Sequence, residues 1–246
     1  MSTGDKAKAD VRERVWTALE EAEASPAAHG RIPDFVDSGR AAVRLSELPG
    51  WRQARKVKVN PDRAQQPVRQ LALSQEKLLF MAVPKLALPE PFYRLDPAEL
   101  DEPPGQLADR RRAAEVAPTA SLDSLPPIDF IICGSVAVNY DGVRVGKGAG
   151  YTDIELALLA DAGLLKPDTI IVTTVHDLQV LDEDLPHQPH DFTVDYILTP
   201  ERLISCKRRR PPIGIDWQAL KPELRDSIPV LQAMWKQHTT SAESHS

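Results

Sequence analysis

The spacing of hydrophobic and polar positions changes along the chain, and each spacing predicts an element. Over 5–24, Val11, Val15, Ala18 and Leu19 fall at i, i+4, i+7 and i+8, which is one stripe of an amphipathic helix. Pro26 and Gly30 end it. A short helix is expected over 39–48, between loops. Residues 56–60 (KVKVN) alternate as a strand does and stop at Pro61. Residues 68–72 and 78–83 are two β-rich runs separated by SQEK, and both are expected as strands. The continuous apolar run 130–138 (FIICGSVAV) is expected as a single central parallel strand buried on both faces. Gly134 and Ser135 within it permit a close approach from above. A helical pattern covers 154–162, with Thr152 or Asp153 available to cap it and Gly163 to end it. The runs 169–175 and 194–199 are the next buried strands. A last helix is expected over 219–238, its stripe formed by Leu220, Leu224, Ile228, Leu231 and Trp235.

Strand, loop, helix, strand, strand is the order of an α/β protein. The expected architecture is a mostly parallel central sheet with helices on both faces, three-layered and Rossmann-like. One such domain is expected over 1–215, with a C-terminal helix over 216–238 packed on it and a disordered tail over 239–246.

Composition narrows this picture. A chain of 246 residues can bury a sizeable core. Its net charge of −6 argues against the whole surface acting as an electrostatic nucleic-acid binder. Two cysteines, Cys133 and Cys206, cannot build a disulfide scaffold, and a reducing cytoplasm is the expected compartment. No signal core is expected at the N-terminus, and no apolar run approaches the ~18 residues that span a bilayer. Proline is abundant at 22 residues, many of them in 84–127, which is expected to be a long irregular surface excursion.

The candidate chemistry centres on 141–159, which reads DGVRVGKGAGYTDIELALL. Gly142, Gly146, Gly148 and Gly150 fall between an apolar strand and a helix, with Arg144 and Lys147 on either side of Gly146. Glycines let backbone N–H groups approach a phosphate, the helix N-terminus adds partial positive charge, and the cations add full charge. A surface hairpin would also use glycines for positive φ, but a plain turn has no need of cations. Lys6, Lys8, Arg12 and Arg14 place further cations on the first turns of the first helix, where the helix dipole prefers acids. An anionic ligand is one reason for them; a solvated face is the other. Polar residues also gather at expected strand ends: His176 and Asp177 after one strand, Thr199 and Glu201 after another, and Pro84-Lys85 after a third. His187, His190 and Asp191 have a spacing that could hold zinc, although hydrogen bonding is the default for such histidines. The basic run Lys207 to Arg210 is a candidate contact for RNA, against the usual reading of a solvated segment.

Taken together, these motifs resemble the 5-formyltetrahydrofolate cyclo-ligase, or methenyltetrahydrofolate synthetase, family. That family carries a glycine loop of the form RxGxGxGYYDR. Here the loop is Arg144, Gly146, Lys147, Gly148, Gly150, Tyr151 and Asp153, followed in order by Gln179, Leu185-Pro186, His190-Asp191, Asp195 and Thr199. The stretches RVW, RIPDF, VKVNPD, GSVAV and DYILTP resemble the methenyltetrahydrofolate synthetase domain-containing branch more than the proven cyclo-ligases. The resemblance implies an ATP- and Mg²⁺-dependent ring closure. The formyl oxygen of 5-formyltetrahydrofolate is phosphorylated, N10 attacks the activated carbon, and phosphate leaves to give 5,10-methenyltetrahydrofolate. It also implies that Arg144, Lys147, Gly146, Gly148, Gly150 and Tyr151 cradle the nucleotide phosphates. Asp153 would support the loop or the metal, and Lys6 or Lys8 would reach the phosphates together with Arg12. Thr152 replaces the second loop tyrosine, Ile154 the following arginine, and Lys147 the first loop aromatic. The acid that the family places before mid-chain to hold the pterin has no match here: around KLALPEPFY only Glu90 is available, in the wrong context. An ATP-using paralogue with another, heterocyclic substrate and a non-catalytic nucleotide- or RNA-binding protein remain alternatives.

Overall fold

The computed structural model describes residues 3–243. In chain order its elements are α1 (Thr3–Glu21), α2 (Ser38–Val43), β1 (Lys56–Val59), α3 (Gln66–Ser74), β2 (Leu78–Ala82), β3 (Phe92–Leu95), α4 (Pro104–Leu107), α5 (Arg110–Val116), β4 (Thr119–Ala120), β5 (Ile128–Cys133), β6 (Ala137–Asn139), β7 (Arg144–Val145), α6 (Tyr151–Asp161), β8 (Leu165–Thr174), β9 (Val180–Leu181), β10 (Tyr196–Leu198), β11 (Leu203–Ser205), α7 (Pro222–Ser227) and α8 (Pro229–Glu243).

The main sheet has the order β11-β10-β8-β5-β1-β2-β3-β4. Its inner strands β10, β8, β5, β1 and β2 are parallel, and both margins are finished by antiparallel strands. The expected mostly parallel α/β sheet is therefore present. Period-two alternation divides its side chains between two cores. Val57, Val59, Leu79, Met81, Phe130 and Ile132 face one core, together with Val68 and Leu73 of α3. Phe80, Ile131 and Cys133 face the other, together with Leu156 and Leu159 of α6 and Leu231 of α8. Fully burying each such leucine stabilises the fold by about 1.5–3 kcal/mol.

Four expectations are corrected. Residues 68–72 belong to a helix: Pro67 occupies the first turn of α3, and the buried residues are Val68, Arg69, Ala72 and Leu73, at helical rather than alternating spacing. The run 130–138 is two strands in two sheets. β5 ends at Cys133, and β6 joins the small sheet β7-β6-β9. The break falls at Gly134, where a Cβ would stand 2.6 Å from Ile32 Cγ2 and 2.9 Å from Gln65 Oε1. The stretch 84–127 is not an irregular surface excursion: it supplies β3, α4, α5 and β4 and buries Phe92, Leu95, Leu107 and Ala113. The C-terminal helix is two helices, and the second continues to Glu243, into the stretch expected to be disordered; the tail beyond it lies outside the described residues.

Candidate functional site

Gly142 serves the β6–β7 hairpin and not the anion loop. It has φ 82° and its N–H bonds to Asn139 O at 2.9 Å. A Cβ there would stand 2.3 Å from Val194 O. The other three glycines form the loop that leads into α6. Gly150, at φ 75°, is the N-cap residue in place of Thr152 or Asp153, and among the described residues no side chain caps the helix. The first amides of α6 are thus left for a ligand. Gly148 has φ 99°, and a Cβ on it would stand 3.3 Å from Arg12 Cζ. The loop is bare so that cations can close on it.

Those cations line one cavity of about 990 Å³. Arg144 leaves β7 and is buried, at 6% exposure. Its Nη1 donates to Asp153 Oδ1 at 3.1 Å and its guanidinium lies 4.8 Å over the Phe192 ring. Burial is the largest single influence and works against its charge, but Asp153 together with Cys133 and Asp191 outweighs it, and its pKa lies above the ordinary arginine value. Its Nε is buried with no partner among the described residues. Arg12 comes from α1 and donates Nε to Gly146 O at 2.6 Å. Lys8, one turn earlier, pairs with Asp191, both largely buried. Lys147 Nζ lies 3.0 Å from Asp62 Oδ1. Tyr151 also lines the cavity. Lys6 does not: it pairs with Asp10 at 3.1 Å on the exposed side of α1. Lys8 is therefore the α1 lysine that reaches the site.

Several lining residues were not singled out from the sequence. The exit from β1 brings in Asn60 and Asp62. This turn is held by the buried Arg69 of α3, whose Nη1 donates to Asp62 O at 3.0 Å and whose Nε donates to Ala108 O at 2.8 Å. Burial lowers the Arg69 pKa to about 10. Under the turn, Lys58 forms a buried ion pair with Glu155 of α6. Burial raises the Glu155 pKa above the usual carboxylate range, although Lys58 pulls it down. Asn60 Nδ2 donates to Thr152 Oγ1 at 3.0 Å. Arg110 and Arg111 enter from α5, whose N-cap Asp109 accepts from the N–H groups of Arg111 and Arg112 at 2.8 and 3.1 Å. A lysine between Val57 and Val59 in a doubly buried strand was the legible signal for Lys58. The others depend on tertiary placement.

Among the described residues, no group of three or more His, Cys, Asp or Glu side chains is arranged to hold a metal. Asp153, expected at the metal, is engaged by Arg144. Asp62, Asp153, Glu155 and Asp191 each face a cation. That donor set suits Mg²⁺ carried on phosphate oxygens with one or two carboxylates and water, not a cage built from protein alone. The unpartnered Arg144 Nε, the bare glycines and the surrounding cations suit a triphosphate. Asp191, in the zinc candidate, instead pairs with Lys8 and accepts from Gln188 N at 2.6 Å.

The polar cluster at the ends of β8 and β10 is structural. Thr199 Oγ1 donates to Asp177 Oδ1 at 2.9 Å, and Arg202 Nε donates to the same oxygen at 2.9 Å. The cavity lies at the carboxyl ends of β1 and β2, where Pro84 and Lys85 do line it. The basic run is tied to the fold, with Arg208 at 3.2 Å from Asp141 and Arg209 at 3.3 Å from Asp195. Glu90 is exposed, accepts from Thr119 Oγ1 and does not line the cavity. The acid before mid-chain that does line it at the β1 exit is Asp62. Burial pushes the Cys206 thiol up to about 12, which leaves it unreactive.

Fold and site define an α/β protein with a glycine loop, an uncapped helix start and a cation-ringed cavity at the ends of its parallel strands. The chain belongs to the 5-formyltetrahydrofolate cyclo-ligase family, whose model matches residues 5–200. It is 37% identical over 240 residues to the methenyltetrahydrofolate synthase domain-containing protein of Homo sapiens, covering 92% of this chain and 61% of that protein. With the Mus musculus protein of the same name it is 38% identical over 239 residues, covering 92% of this chain and 62% of that one. The chain thus spans about three fifths of the length of these relatives. A 5-formyltetrahydrofolate cyclo-ligase of Mycolicibacterium smegmatis is 32% identical over 91 residues, 37% of this chain and 43% of that protein. Among solved structures, the Aquifex aeolicus 5,10-methenyltetrahydrofolate synthetase superposes with a TM-score of 0.53 at 21% identity. That match covers 89% of this chain and all of the other, a likeness of fold. No helix among the described residues is long and apolar enough to cross a membrane.

Proposed function

We propose that this chain is an ATP- and Mg²⁺-dependent cyclo-ligase that converts 5-formyltetrahydrofolate to 5,10-methenyltetrahydrofolate, working in the cytoplasm. The observation that carries the reading is the buried, unpartnered Nε of Arg144 beside a bare glycine loop, inside a cavity that Lys8, Arg12 and Lys147 also line. The family membership and the names of the relatives support the choice of reaction.

Mg·ATP would supply the phosphoryl group that activates the formyl oxygen. The chain itself contributes positioning and charge. Gly146, Gly148 and Gly150 and the first amides of α6 receive phosphate oxygens. Arg144, Lys147, Arg12 and Lys8 neutralise them, and Asp153 holds Arg144 in place. Asp62 and Glu155 would offer carboxylate oxygen to the metal or to the substrate. Lys85, Arg110 and Arg111 suit the carboxylates of a folate.

A second reading has its own support. Glu90 lies outside the cavity, and Thr152, Ile154 and Lys147 depart from the family loop. An ATP-using paralogue with a different heterocyclic substrate would keep the phosphate side and change the rest. The deciding experiment follows methenyltetrahydrofolate by absorbance in purified protein with Mg·ATP and 5-formyltetrahydrofolate. ATP-dependent turnover supports the first reading. ATP binding without turnover moves the assignment to the second, and neither signal removes both.

A further inference from the structure

The cavity has two kinds of wall. The loop side is charged, whereas the segment 213–224, which lies beyond residue 200, where the family match ends, brings in Ile213, Ile215, Leu220 and Leu224 alongside Asp216 and Lys221. This segment is fastened along α6. At the end of the helix, Ile215 N donates to Asp161 Oδ2 at 3.0 Å. Gly214 passes so close that a Cβ there would stand 1.7 Å from Asp161 Oδ1. At the start of the helix, Leu224 of α7 reaches the N-cap, its Cδ1 3.9 Å from where a Gly150 Cβ would be. Ile228 and Leu231, both fully buried, anchor the passage from α7 into α8. Ile213, Ile215, Leu220 and Leu224 thus form a groove with Tyr151 and Ile154 of α6. Ile213 is left 49% exposed at its rim.

We propose that this groove is the base subsite of the nucleotide: the planar base of a nucleoside triphosphate lies between α6 and 213–224 while its phosphates sit on 146–150. The inference rests on the ATP half of the proposed function and does not depend on the folate. The groove begins where the phosphate loop ends, since Gly150 and Tyr151 border both. A ring joined to the phosphates through one sugar therefore reaches it first. Apolar slots with an aromatic edge hold planar rings well. Asp62, Lys85, Arg110 and Arg111, which also line the cavity, are charged and better suited to a polar substrate.

The test is calorimetric titration of the full chain with ATP and with inorganic tripolyphosphate, which has no base. Wild type is expected to bind ATP more tightly than tripolyphosphate. Ile213→Ser and Leu220→Ser should each weaken ATP about five- to tenfold and leave tripolyphosphate unchanged. Ile213 is half exposed, so its variant carries the test even if Leu220→Ser fails to fold. Unaltered ATP affinity in a folded Ile213→Ser, or equal affinity of wild type for the two ligands, overturns the base subsite and leaves nucleotide binding standing. If wild type binds neither ligand, the nucleotide reading falls and the subsite with it.

Discussion

Arg12 donates its Nε–H to the carbonyl of Gly146 at 2.6 Å, so the first helix holds a loop 134 residues further along the chain. The contact leaves the rest of the guanidinium beside Gly148, where a Cβ would crowd it. Burial lowers the Arg12 pKa; Asp5 opposes the effect and the nearby Arg144 adds to it. Arg12→Ala removes both the tether and a charge. ATP affinity measured by calorimetry should fall about ten- to a hundredfold, the loss of one or two charge-assisted contacts. Undiminished affinity would separate α1 from the phosphate site.

Lys147 is held by Asp62 at 3.0 Å across the mouth of the same cavity. In the proposed reaction it follows the transferred charge, so its removal should act on turnover more than on folding. Lys147→Ala is expected to cut kcat by about a hundredfold or more, the scale of losing one electrostatic donor in phosphoryl or acyl transfer. The midpoint of unfolding should stay near wild type because the side chain is partly exposed. Unchanged steady-state turnover would take the glycine loop out of the mechanism.

The sequence carried the loop and most of the parallel strands because their signals are local. Glycines between cations mark 144–150, and β-branched runs mark β5 and β8. The rest depends on residues that lie across the fold. Val68 to Ala72 reads as a strand by composition, yet Arg69 must turn inward to hold the Asp62 carbonyl, and a helix places it there. The apolar run through Gly134 reads as one strand because a change of sheet leaves no mark except the glycine that allows it. Lys58 and Glu155 are 97 residues apart, and nothing near either announces the partner. The same holds for Leu220 and Leu224, whose stripe predicts packing but not that a cavity lies beneath it.

The Lys58–Glu155 pair under the cavity floor makes a stability prediction. Both side chains are buried, and Lys58 also donates to Asn60. Glu155→Leu leaves the ammonium without its carboxylate and should cost about 3–5 kcal/mol in urea unfolding. Lys58→Met combined with Glu155→Leu should recover most of that loss, since two apolar side chains of similar volume can replace a buried pair. A single variant no less stable than the double one would show that the pair contributes no coupling.

A pH dependence is built into the end of α1. His29 places Nδ1 2.9 Å from Glu20 Oε2 and Nε2 3.2 Å from Glu13 Oε1. Its hydrogen bond to Glu20 raises its pKa above 6.5, with Glu13 adding to the effect. The folded histidine binds its proton more tightly than the unfolded one does. Its contribution is therefore complete below about pH 6.5 and fades as pH rises through the folded value. Glu20 behaves in the opposite sense. Its hydrogen bond from His29 lowers its pKa below 4.5, so its contribution is present above that pH and is lost on acidification. These exposed groups should therefore add stability between about pH 4.5 and 6.5 and release it on either side. Unfolding midpoints measured across this range in wild type and His29→Gln should differ most near pH 5.5 and converge by pH 9, well past the ordinary histidine pKa of about 6.5. A difference that stays constant with pH would mean that His29 acts through its ring contact with Trp16, whose centroid lies 5.7 Å away, and not through its charge.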